Sequence, residues 1–315
     1  MPRLCYESAA MDETYRAGFV GILGNPNVGK STLLNQLLGE KLAIVTHKPQ
    51  TTRDRILGVR PVPNGQLIFL DTPGVHRADK ALNKHMVDVA MTALNDVDVA
   101  VLVLDANICQ KKGALESVNE GLMKALEQSK KPIVVAINKV DKVAKNALLP
   151  MISAVHDSQL FTAIVPICAR SGDGVEALLS EIHSQVPLGP PLYPEDTLTD
   201  RSVRFLAGEL LREQLILATK DELPYSVAVE VTRFKERTDK PLTEIDVTVH
   251  VERTSQKGIV LGKNGSRIKT AATEARKRIE ELTGQKVFLR THVRVEPNWT
   301  KRPGGLRKLG YKGTE

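Results

Sequence analysis

Residues 24–31 read Gly24-Asn25-Pro26-Asn27-Val28-Gly29-Lys30-Ser31. This is the G-x-x-x-x-G-K-S/T pattern of a phosphate-binding loop, set between an apolar run (Phe19 to Leu23) and a helical pattern (Leu33, Leu34, Leu37, Leu38). Glycines let successive backbone N–H groups turn inward around a phosphate chain. Lys30 brings charge to the β- and γ-phosphates, and the Ser31 hydroxyl suits Mg²⁺. The helix that follows points its partly positive N-terminus at the same anion. Asn25, Asn27, Val28, Gly29, Lys30, Ser31 and Thr32 are therefore the expected phosphate-side contacts.

Three further segments extend the chemistry. Asp71-Thr72-Pro73-Gly74 follows the apolar run Leu67 to Leu70. A carboxylate ending a strand beside such a loop is placed for a second Mg²⁺ contact, and the Gly74 N–H is open to a γ-phosphate. Asn138-Lys139-Val140-Asp141 ends the run Ile133 to Ile137. Guanine presents two donors on one edge, and the Asp141 carboxylate accepts both in a charge-assisted pair. Adenine presents an acceptor there, so this motif selects GTP over ATP. The Lys139 stem is expected along the base, and Asn138 is expected to tie its loop to the phosphate loop. In Lys48 to Asp54, a threonine can ligate Mg²⁺ only while a γ-phosphate holds the segment closed. Thr52 is preferred over Thr51. Metal ligands are thus expected at Ser31, Thr52 and Asp71, and catalytic contacts at Lys30, Thr52 and Gly74.

The order of these motifs resembles the TRAFAC class of GTPases. The resemblance implies that Cys168-Ala169-Arg170 stands where small GTPases read Ser-Ala-Lys, with a backbone N–H at Ala169 binding guanine O6. It also implies a subgroup without the water-orienting glutamine, because Val75 occupies that position. In that subgroup the residue matching Asn27 can hold K⁺ near the phosphates; as an unassisted alternative, Asn27 is a turn residue. Hydrolysis is expected to be slow, on the order of 10⁻⁴ to 10⁻² s⁻¹.

Strong apolar runs alternating with helical patterns predict an α/β fold with a doubly wound, mostly parallel sheet. Asn64-Gly65 predicts one antiparallel hairpin in it. Pro187 to Pro194 reads as an interdomain linker. Beyond it, Asp200 is expected to cap a helix from Arg201 to about Thr219. Alternating runs at 225–231 and 245–251 predict strands, and a last strand is expected over Val287 to Val295.

Charge is uneven. Residues 201–315 carry 24 Lys and Arg against 15 Asp and Glu, a balance of +9, and residues 1–200 carry −2. The excess points to a polyanion: single-stranded RNA first, an anionic lipid surface or DNA as rivals. Cys5, Cys109 and Cys168 make no disulfide framework and no metal-ligand spacing, which suits a reducing cytoplasm. Met1 to Gly18 lacks an apolar core, so no secretory leader is expected, and no apolar run is long enough to span a bilayer.

Gly262-Lys263-Asn264-Gly265 joins two helical patterns and resembles the loop of a type II KH domain, which clamps a short single-stranded backbone. Ile259, Gly262, Lys263, Asn264, Gly265, Arg267 and Lys269 are the expected RNA contacts. Trp299 and Tyr311 lie among basic residues of the tail, where they either stack on bases or, for Trp299, pack on the last strand. The expected division is an extension (1–15), a P-loop GTPase domain (16–186), a linker (187–200), a smaller α+β KH-like domain (201–298) and a basic tail (299–315).

A GTPase domain, a proline-rich linker and a KH-like domain in this order resemble the Era family of bacterial GTPases. The segments Tyr193-Pro194-Glu195-Asp196 and Glu222-Leu223-Pro224-Tyr225 strengthen the likeness. The resemblance implies a monomer that binds GTP, GDP and Mg²⁺ and binds the 3′ end of 16S rRNA. It further implies assistance to 30S ribosomal subunit assembly and a loose, peripheral association with the inner membrane.

Overall fold

The computed structural model describes residues 14–46, 56–71, 94–219, 226–301, 304 and 309. Its first unit is a six-stranded sheet. β1 (Arg16–Leu23) is followed by α1 (Lys30–Leu38), β2 (Ile56–Val62) and β3 (Gly65–Asp71). Then come β4 (Val99–Asp105), α2 (Ala106–Lys112), α3 (Glu120–Gln128) and β5 (Ile133–Asn138). α4 (Lys145–Asp157), β6 (Ala163–Pro166) and α5 (Val175–Gln185) complete it. The spatial order is β2-β3-β1-β4-β5-β6. All neighbours are parallel except β2 and β3, which form the hairpin that Asn64-Gly65 predicts. Asn64 sits at φ 52°, a left-handed turn conformation that Asn tolerates.

β4 and β5 are buried along their whole length, which is why they read as unbroken Val/Ile/Leu runs. Helices cover both faces. Leu33, Leu34 and Leu37 of α1 and Leu178 and Ile182 of α5 pack on one face of the sheet, and Leu122 and Leu126 of α3 and Val155 of α4 on the other. In such a sheet, ligands bind outside the carboxyl ends of the strands. Here those ends carry Gly24, Asp71, Asp105, Asn138 and Cys168.

The predicted linker is a strap. Gln66, buried in β3, accepts from the N–H groups of Leu192 and Tyr193 (both 3.0 Å) and donates to the Tyr193 carbonyl (2.9 Å). The Val59 N–H donates to Leu198 O at 2.9 Å, and the Thr199 hydroxyl donates to Leu57 O at 2.5 Å. The strap thereby pairs with β2, the sheet's edge strand, and covers an edge that would otherwise expose unpaired backbone groups.

The second unit is α6 (Val203–Ala218), β7 (Ala228–Glu236), β8 (Leu242–Val251), α7 (Thr254–Leu261), α8 (Ser266–Thr283) and β9 (Lys286–Val295). Its sheet runs β7-β8-β9, antiparallel then parallel. Leu211 and Leu215 of α6 and Ala275 and Ile279 of α8 pack against Ile245, Val247 and Val249. The cap of α6 is Ser202, two residues later than Asp200, because the Ser202 hydroxyl reaches the Phe205 N–H at 3.3 Å. The first strand also begins later than the alternation suggests, at Ala228, and runs on to Glu236 through a register shift at Val231/Arg233. Trp299 is 1% exposed, and its indole N–H donates to Ser226 O at 3.2 Å, so it closes the core and offers no stacking surface. Tyr311 lies outside the described residues.

Candidate functional site

The phosphate loop takes its shape from left-handed backbone at Asn27 (φ 61°) and Gly29 (φ 107°). A Cβ on Gly29 would lie 2.3 Å from the Asn138 amide nitrogen, so a side chain there would break the site. Lys30 is buried at the start of α1, with Nζ donating to Gly24 O (3.0 Å) and Asn25 O (2.9 Å). Burial pushes its pKa down to about 8, and the nearby Asp71 carboxylate works in the opposite direction. Asn25 turns its side chain away from the loop interior. Its amide donates to Ser117 O at 2.5 Å and accepts from Asn119 N–H at 3.0 Å, so only its backbone remains for a phosphate. Asn27 is exposed, with its carbonyl accepting from Lys139 Nζ at 2.5 Å.

The Ser31 hydroxyl donates to Asp71 Oδ2 at 2.8 Å. Parallel pairing of β1 with β3 sets Asp71 opposite Ile22, just before the loop. A hydroxyl and a fully buried carboxylate in contact form a hard oxygen pair suited to Mg²⁺, whose remaining ligands come from water and phosphate. Among the described residues no group of three or more His, Cys, Asp or Glu side chains could hold a metal ion by itself. Thr51, Thr52, Gly74 and Val75 lie outside the described residues.

The base-side pocket is assembled by Asn138. Its Nδ2 donates to Val28 O at 2.8 Å, which ties this loop to the phosphate loop as expected. Its Oδ1 accepts from the N–H groups of Lys139 (2.8 Å) and Ala169 (2.9 Å). The Ala169 N–H, reserved by sequence for guanine O6, is thus already engaged, and a base oxygen would share it. The Cys168 thiol donates to Asp141 Oδ1 at 3.3 Å, so the sulfur orients the Asp141 carboxylate. Arg170 is exposed and its side chain plays no part in this network.

Sequence reasoning missed Asp105. It ends β4 as Asp71 ends β3, and that position was the available signal. Its Oδ2 pairs with Lys139 Nζ at 2.6 Å while Oδ1 accepts from Asn107 N–H at 3.0 Å, capping α2. Lys139, itself left-handed at φ 64°, is thereby stretched between Asp105 and the phosphate loop.

The second unit presents Gly262-Lys263-Asn264-Gly265 between α7 and α8. Gly262 (φ 70°), Asn264 (φ 52°) and Gly265 (φ 75°) are all left-handed. A Cβ on Gly262 would meet Arg267 Cβ at 2.8 Å, whereas the space around Gly265 is open. Lys263, Asn264 and Lys269 are exposed, and Ile259 is 38% exposed. Arg267 folds back to donate to Ile259 O, which bridges the two helices. The arrangement offers a charged, backbone-lined saddle beside an apolar residue, a form suited to a phosphodiester and its base.

Among the described residues no helix is long and apolar enough to cross a membrane. Cys109 and Cys168 are buried free thiols.

Comparison with known proteins followed the same outline. The chain matches the family described as 50S ribosome-binding GTPase over residues 19–139 and the KH domain family over residues 222–300. It is 47% identical over 302 residues to GTPase Era of Geotalea uraniireducens (strain Rf4), covering 96% of this chain and 99% of that one. It is 47% identical over 300 residues to GTPase Era of Geobacter metallireducens, covering 95% and 99%. A crystal structure of Era in complex with MgGDPNP and nucleotides 1506–1542 of 16S ribosomal RNA superposes with a TM-score of 0.89 at 38% identity, over 94% of this chain and 99% of that one. A variant of Aquifex aeolicus Era bound to GDP and AlF₄⁻ gives 0.84, also at 38% identity with 94% and 99% covered.

Proposed function

This chain belongs to the Era family of GTPases, and we propose that it is a slowly hydrolysing GTP switch that binds the 3′ end of 16S rRNA and assists 30S subunit assembly. One observation carries the reading. A phosphate loop tied by Asn138 to the loop that carries Asp141, and a saddle at Gly262–Gly265, stand on one chain, joined by a hydrogen-bonded strap.

In this reading the phosphate loop and Lys30 bind the triphosphate, and Asp141 with Lys139 selects guanine. Ser31, Asp71 and Thr52 hold Mg²⁺, which supplies charge neutralisation at the β/γ-phosphates when bound. Gly74 contacts the γ-phosphate through its N–H. Chemistry is positioning and electrostatics, since phosphoryl transfer asks for little else from the protein. Ile259, Lys263, Asn264, Arg267 and Lys269 hold single-stranded RNA around Gly262 and Gly265. The domain limits 16–186 and 201–298 follow, with 187–200 acting as the strap. The two buried thiols suit a reducing cytoplasm, and the basic C-terminal third supports loose contact with the inner membrane by a monomer.

The test is a pair of substitutions, Lys263→Asp with Asn264→Asp, on the solvent side of the saddle. RNA binding is expected to be lost while GTP hydrolysis stays at the unmodified rate. RNA binding that survives both changes would show that the saddle does not hold the RNA and would overturn the reading.

A further inference from the structure

We infer that Glu213 is the positioning residue through which the KH domain acts on the GTPase domain's nucleotide site, at residues 41–45 that follow the phosphate loop's helix. The inference rests on the reading above, in which the phosphate loop binds GTP and the saddle binds RNA. Glu213 lies on α6 and its side chain is 1% exposed. Oε2 accepts from Lys41 Nζ at 2.8 Å, and Oε1 accepts from the Val45 N–H at 2.9 Å. Both partners belong to the other domain, on the stretch between α1 and the Thr51–Thr52 interval. A buried carboxylate spending both oxygens across a domain boundary is costly to strand, so the two sides move together or not at all.

The surrounding contacts sharpen this. Asn35 of α1 accepts from the N–H groups of Leu42 (3.0 Å) and Ala43 (2.8 Å) and donates to Ala43 O (2.8 Å). Residues 42–45 are therefore pinned on one side by the helix that opens the phosphate loop and on the other by Glu213. The far flank of the same interval is also tied to the strap that leads into α6, through Leu57 O with Thr199 and Val59 N–H with Leu198. Both described flanks of Thr51–Thr52 thus bond to one continuous element, residues 198–213. Leu206 and Phe205, on the first turns of α6, pack into the GTPase core beside Leu198, so that element is seated in both domains. α6 in turn packs on α8, the helix that begins at the Gly262–Gly265 saddle. RNA seated on the saddle and phosphate seated on the loop share this one route. Glu213 is the acidic side chain at the crossing.

The experiment uses the full chain and compares GTP hydrolysis with and without single-stranded RNA. In Glu213→Ala, GTP affinity, RNA affinity in the GDP state and the rate without RNA are each expected within about twofold of the unmodified protein. The effect of RNA on the rate is expected to fall at least fivefold. Hydrogen exchange at the Val45 amide should accelerate in the same variant. Glu213→Gln keeps the buried shape and Lys41→Met removes the charge from the exposed partner, and intermediate losses are expected; they decide the matter if the alanine variant fails to fold. An RNA effect that survives at full size in all three variants overturns the inference. So does an unmodified protein that binds both ligands yet hydrolyses GTP at one rate regardless of RNA, although the proposed function would then stand. Failure of the unmodified protein to bind GTP or RNA would remove the proposed function and this inference with it.

Discussion

Lys30 sits in the phosphate loop with its pKa lowered to about 8 by burial. Its charged form is disfavoured in the free protein and favoured once phosphate oxygens surround Nζ. Nucleotide binding is therefore linked to proton uptake, and affinity is full below about pH 8 and declines above it. Calorimetry at pH 8 in two buffers of different ionisation enthalpy should register about half a proton taken up, because half of a group is neutral at its pKa; Lys30→Met should abolish the uptake. At the base, Asp141→Asn replaces a charge-assisted double acceptor with a neutral amide. GTP affinity should fall about 10- to 100-fold, while xanthosine triphosphate, which offers an oxygen to the new N–H, should gain. Asn27 makes a third case. Its left-handed backbone fits the turn alternative, and its side chain is exposed. Hydrolysis should run faster in K⁺ than in Na⁺, and equal rates would leave Asn27 as a turn residue alone. At this scale the sequence was most legible where backbone geometry dictates residue type, as at Gly29, Asn64 and Gly262. It was least legible for side chains whose partners are distant in the chain. Nothing local to Asn25 tells that its amide is claimed by residues 117–119, nor that Asp105 spans to Lys139.

Elements were readable from periodicity, and their ends from caps. The buried β4 and β5 announced themselves as apolar runs. The start of α6 was misplaced by two residues because Asp200 and Ser202 are both good caps, and only geometry shows which hydroxyl or carboxylate meets an orphan N–H. The strap was legible as punctuation and illegible as structure: prolines predict extended chain, but its anchoring at Leu192 and Tyr193 depends on Gln66, a polar residue of the largely apolar β3. Gln66→Ala would leave two N–H groups and one carbonyl of the strap without their partner. We expect a loss of about 2 kcal/mol, less than the roughly 3–9 kcal/mol that three fully buried stranded groups would cost, because Leu192 is exposed and water replaces part of what is lost; it is read as a lower urea midpoint with GTP affinity retained. A midpoint unchanged from the unmodified protein would mean that the strap is held elsewhere.

For the molecule as a whole, the positive excess falls on the part of the chain that contains the match to the KH domain family, while the crossing between the two domains was invisible in sequence. Lys41 and Glu213 are 172 residues apart, and no pattern links them. Phosphate contacts make nucleic-acid affinity salt-dependent, so competition at fixed salt separates the ligand classes. Single-stranded RNA should displace a bound RNA probe where duplex DNA of equal charge does not, since the saddle is shaped for one backbone with unstacked bases. The central claim is that the guanine pocket and the RNA saddle are linked, and linkage must be reciprocal. The most direct measurement is one titration of single-stranded RNA into the full chain at fixed salt, repeated with a non-hydrolysable GTP analogue and with GDP. The account predicts two clearly different dissociation constants, separated by about fivefold or more as for ordinary allosteric coupling. Superimposable curves would contradict it.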